Sequence, residues 1–131
     1  MGNHCPEKGN MSKLGKKITD LSAKICDISD EKGFWDIEDI SEFAIVPVKL
    51  ALIADEVSEA LRVHREEYEG VEGPKLNYMT EQQEMDFTEE LADIVIRTLD
   101  LAGGLGLDIG NSITEKIKKN KKRPHRHGKR Y

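Results

Sequence analysis

The sequence predicts an all-α protein, a bundle of four to five helices assembled as an oligomer. Three observations predict it. Apolar residues recur at steps of three and four over most of the chain, as they do in helices with one buried face. Charged residues make up 34% of the 131 residues and aromatic ones 5%, which suits long polar helical faces and not a β-sandwich. No segment shows the strict apolar/polar alternation of a half-buried strand.

Residues 1–12 are polar and are expected to form a disordered extension, residues 13–123 a helical domain, and residues 124–131 a basic tail. In the first helix, from Ser12 to Lys32, the positions Leu14, Ile18, Leu21, Ile25 and Ile28 form one stripe. Ser12 is its expected N-cap and Gly33 its stop. FWDIEDISEFAIV follows as a loop or short helix, with Trp35, Ile37, Ile40 and Phe43 packing inward. Pro47 can open the second helix, because a first-turn position needs no N–H donor. That helix is expected to reach Glu67, with Ile53, Val57, Ala60 and Leu61 as its stripe.

Residues 68–82, with Gly70, Gly73 and Pro74, read as a long loop, a lid or a disordered segment. The third helix is predicted from Glu84 to Leu101, with Phe87, Leu91, Ile94, Val95, Thr98 and Leu101 buried. Gly103, Gly104 and Gly106 break it. Asp108 then caps a fourth helix whose stripe is Ile109, Ile113 and Ile117, and Pro124 lies beyond its end. The third helix carries more apolar surface than three neighbours easily cover, which predicts a homodimer or a dimer of dimers.

Composition limits the function classes. No window holds the roughly 20 apolar residues of a membrane span, and the N-terminus has no apolar signal segment. Cys5 and Cys26 make no disulfide framework, so a reducing, cytoplasmic setting is expected. Charge is unevenly divided. Nine Lys or Arg residues and no acid lie between Lys116 and Arg130, so the net −5 of the chain becomes −14 over the first 115 residues. A basic end on an acidic body fits nucleic acid, ligand phosphates, or a merely solvated tail.

ADEVSEAL, residues 54–61, sets Glu56 and Glu59 three positions apart on a line with Leu52 and Val63. EELADIV repeats the device with Glu90 and Asp93, Glu90 falling between Phe87 and Ile94. If the two helices pack antiparallel, four carboxylates converge beside apolar stripes. Unpaired, such charges are costly; a hard divalent cation makes the arrangement favourable, and all-oxygen donors suit Mg2+ or, as a substitute, Mn2+. A di-iron bundle needs E-x-x-H, and His64 stands five residues after Glu59. His4, His125 and His127 lie outside the helices. Lys116, Asn120 and Arg123 share one face of the fourth helix and suit a polyphosphate. Trp35 is a weaker candidate for stacking on a base, as is Tyr78 in the loop.

EVSEA, EELADIVIRTLDLAGGLGLDI and EKIKKNKKRPHRHGKR together resemble the MazG-like branch of the all-α nucleoside triphosphate pyrophosphohydrolase superfamily, over roughly residues 14–131. The resemblance implies that Glu56, Glu59, Glu90 and Asp93 are magnesium ligands and catalytic residues, and that Lys116, Asn120 and Arg123 contact substrate phosphate. It implies hydrolysis of a nucleoside triphosphate to the monophosphate and pyrophosphate by a metal-bound or glutamate-oriented water; Glu59 is the candidate for that orientation, although nothing local distinguishes it from the other three acids. The long loop between the acidic pairs and Gly110-Asn111-Ser112 at the start of the fourth helix depart from the pattern. Two rivals remain: a nucleic-acid-binding helical module using the basic end, and an inactive nucleotide-sensing bundle. The first predicts salt-sensitive binding without magnesium-dependent turnover; the second predicts a missing acid, and all four are present.

Overall fold

The computed structural model describes residues 8–36, 42–68 and 80–124. They form four helices in the order α1 (Lys8–Glu31), α2 (Glu42–Tyr68), α3 (Glu81–Gly104) and α4 (Ile109–Lys122). No strand occurs among the described residues. α3 packs on α2 and on α1, and α1 carries α4 on another side. Lys49 with Asp100, Glu56 with Arg97, and His64 with Phe87 pair successively, so α2 and α3 run antiparallel.

Several boundaries differ from the sequence reading. α1 begins at Lys8, so Ser12 is interior to it and not its cap, and Met11 is buried in the core. Its C-terminus is as expected. Gly33 at φ +82° closes the helix with the paired bonds Gly33 N–H to Asp30 O and Phe34 N–H to Ser29 O. α2 begins at Glu42, which puts Pro47 inside the helix, where it deprives the Phe43 carbonyl of its usual donor. Phe43 does not pack inward; it is 94% exposed. Ile37 and Ile40 lie outside the described residues, as do most of the 68–82 loop and most of the basic tail.

α3 starts three residues earlier than predicted. Thr80 accepts from Gln83 N–H while the Gln83 side chain accepts from Thr80 N–H, a reciprocal capping box. The helix also continues through Gly103 and Gly104. A Cβ on Gly103 would strike the Ser22 carbonyl and Cys26, and one on Gly104 the Trp35 ring. These glycines admit neighbours instead of ending the helix. Gly106, at φ +66°, ends it. Asp108 caps α4 as expected, its side chain accepting from Asn111 N–H.

The core is built from small residues as much as from the predicted stripes. α1 turns Met11, Gly15 and Ser22 inward and leaves Leu14, Leu21 and Ile28 exposed. Ser22 is 1% exposed and donates to the Leu99 carbonyl at 2.5 Å. α4 meets α1 through Gly110 and Thr114. A Cβ on Gly110 would collide with the Gly15 carbonyl, so the two backbones touch directly. Thr19 stitches this crossing, accepting from Gly110 N–H at 3.0 Å and donating to Asp108 Oδ1 at 2.8 Å. On α2, Ala60 is buried but Val57 and Leu61 are exposed; on α3, Leu99 and Leu101 are buried but Leu91, Val95 and Thr98 are not.

Candidate metal and substrate cleft

α1, α2 and α3 enclose a cleft of about 500 Å³. Its apolar wall includes Phe34, Val48, Leu52 and Ile96, and its polar rim includes Glu56, Asp93, Lys32 and Arg97. Leu52, Glu56, Glu59 and Val63 are all partly buried, so the line read from the sequence does face the helix packing. Facing α2 from α3, Glu90 and Asp93 bring one carboxylate oxygen each to within 4.8 Å of each other and of one from Glu56.

Three of the four predicted acids therefore converge. Glu59 stands one turn further along α2, outside the trio, and accepts from Arg62 on its own helix. Its charge still reaches Glu90. Partial desolvation, then Asp93, Glu56 and Glu59 in turn, raise the Glu90 carboxyl above the usual 4.5. Oxygen donors from three side chains at this spacing fit a hard divalent cation that keeps some of its water.

The trio is not without a protein cation. Arg97, one turn after Asp93 on α3, donates through Nε to Glu56 Oε1 at 2.5 Å. Glu56 keeps 16% of its side-chain surface exposed and Arg97 39%. The sequence reading missed this residue. The available signal was the i, i+4 spacing from Asp93, which puts Arg97 on the same helical face.

A second polar cluster supports the cleft. Asp100 accepts from Trp35 Nε1 at 2.9 Å and from Ser29 Oγ at 3.0 Å, and Lys49 Nζ lies 3.8 Å from it. Lys49 also donates to the Phe34 carbonyl at 2.9 Å and sits 4.3 Å from the centre of the Trp35 ring. Burial, and then Asp100, raise the nearby Cys26 thiol, which keeps it protonated. These contacts pin the turn after α1 to α3. Trp35 is thereby committed to the protein, and its neighbour Phe34 is the aromatic side chain that lines the cleft. Tyr78 lies outside the described residues.

Lys116, Asn120 and Arg123 are exposed on α4 and at its C-cap, and none of them lines the cleft. α4 packs on α1, whereas the acids lie on α2 and α3.

Residues 71–131, a little under half of the chain, match the model of the MazG-like family. The match takes in Glu90, Asp93, Arg97, Asp100 and the basic residues of α4; Glu56 and Glu59 lie before it. No match is found among curated proteins or solved structures.

Proposed function

We propose, with the MazG-like match over residues 71–131 as premise, that the protein is a nucleoside triphosphate pyrophosphohydrolase. It would convert a nucleoside or deoxynucleoside triphosphate to the monophosphate and pyrophosphate in a magnesium-dependent reaction. The observation that carries the reading is the convergence of Glu56, Glu90 and Asp93, two of which, Glu56 and Asp93, line a cleft with an apolar wall and its own cations. An acidic helix face exposed to solvent would have neither.

Under this reading Glu56, Glu90 and Asp93 hold the ion, which neutralises charge on the polyphosphate when bound. The nucleoside enters against Phe34, Val48 and Ile96, and its phosphates face the acidic rim. Glu59, half exposed and outside the trio, orients a water towards the α-phosphorus. Attack there breaks the α–β anhydride, and pyrophosphate leaves. Lys32 lies on the same rim as a cation for the departing group. Lys116, Asn120 and Arg123 can serve the same triphosphate if a second copy brings its α4 to the cleft, so the reading includes a homo-oligomer.

The test is pyrophosphate release across normal and modified nucleoside triphosphates with magnesium. Glu56→Ala and Asp93→Ala should each reduce turnover roughly a hundredfold or more, with helix content by circular dichroism retained. No turnover of any triphosphate by the native chain would overturn the reading. Salt-sensitive binding of RNA or DNA in its place would favour the nucleic-acid module.

A further inference from the structure

Arg97 has only one polar partner among the described residues, Glu56, which it contacts through Nε. Its two terminal nitrogens have no partner among the described residues, and the side chain lines the cleft. The charge balance gives this pairing a meaning. Three carboxylates and one guanidinium leave two net negative charges, the complement of a single divalent ion. Glu59 pairs with Arg62 on its own helix and lies outside the trio, so it is not counted in that sum.

A carboxylate oxygen held by a guanidinium is a poorer ligand for a hard cation, because the two positive groups compete for one site and repel each other across a few ångströms. Arg97 also lines the cleft, with 39% of its side-chain surface exposed, so its guanidinium is accessible to a ligand held there. Guanidinium groups bind phosphate oxygens in a forked, bidentate manner. Glu56 and a polyphosphate are therefore alternative partners for the same side chain.

We propose that Arg97 is a stand-in cation. In the metal-free protein it holds Glu56 in its inward position; when Glu56 turns to a divalent ion, the guanidinium transfers to a phosphate of the substrate. Arg97 is then a positioning residue in the first state and a substrate-binding residue in the second. This rests on the pyrophosphohydrolase reading for its second half only. The competition at Glu56 stands on the ion pair itself.

The test uses the full chain and two probes. Mn2+ binding without nucleotide is followed by the paramagnetic resonance of the free ion, and steady-state kinetics are measured with whichever triphosphate the wild type hydrolyses. Arg97→Met should bind Mn2+ more tightly, roughly fivefold or more at low ionic strength, because a competing charge is gone. The same variant should raise KM roughly tenfold while kcat falls less. Arg97→Lys keeps the charge and should return Mn2+ affinity towards wild type without restoring KM, since an ammonium lacks the fork. Unchanged or weaker Mn2+ binding in a folded Arg97→Met protein would overturn the proposal, even if the enzyme remains active. Absence of hydrolysis in the wild type would instead sink the enzymatic reading, and the Mn2+ titration would still decide whether Arg97 competes for Glu56.

Discussion

At the scale of the residue, Glu90 makes the clearest pH prediction. Its carboxyl is raised above its unfolded value, so the folded chain holds that proton more tightly than the unfolded chain does. Stability supplied by this group is present below the ordinary carboxylate range and declines as pH rises from there through the raised value. Without divalent ions, Glu90→Gln should therefore melt at a higher temperature than wild type at pH 7.5. The difference should shrink as pH falls through the ordinary carboxylate range and vanish below it, where Glu90 is protonated in both states. Equal melting temperatures at pH 7.5 would show that the acids do not repel one another. The acids were legible in the sequence because i, i+3 spacing next to apolar residues fixes their helical face. Their separation into a trio and a solitary Glu59 was not, because it depends on which arginine each one meets. Arg62 is three residues from its partner and Arg97 is 41 residues from its own, a distance that periodicity does not span.

At the scale of the element, helix existence and helix ends obey different rules. Periodicity identified all four helices. It placed their ends less well, because ends depend on caps and on contacts with other helices. Thr80 and Gln83 carried a readable capping box; Thr80→Ala should cost about 1 kcal/mol and speed amide exchange in the first turn of α3. Unaltered urea midpoints would count against that cap. Glycine was the harder case. Gly103 and Gly104 read as breakers, yet they lie within α3 because Ser22, Cys26 and Trp35 occupy the space a side chain would need. Gly110, read as a sign of a departure from the family pattern, serves the same purpose against Gly15. Gly110→Ala should destabilise the fold by about 2–4 kcal/mol. Gly106→Ala, with open space around it and only a left-handed backbone to strain, should cost about 1 kcal/mol. Equal losses by urea denaturation would mean that the close approach has been misread.

At the scale of the whole molecule, the uncovered apolar side chains are the main feature. Leu50, Val57 and Leu61 line one side of α2, and Leu91 and Val95 lie on α3. The stripes predicted as core are thus partly exterior in a single chain, while serines and glycines lie within. A second copy covering these faces would account for both. Light scattering should give at least a dimer at micromolar concentration, and Val57→Glu with Leu61→Glu should shift it towards monomer. A native monomer would leave the exposed stripes unexplained. The Gly15–Gly110 crossing has a consequence at this scale too. Where most helix pairs are separated by a cushion of side chains that can shuffle to absorb an added methyl, here main chain rests on main chain. Tolerance at this joint should be all or nothing, with serine failing almost as badly as leucine, because no compressible layer exists to grade the response.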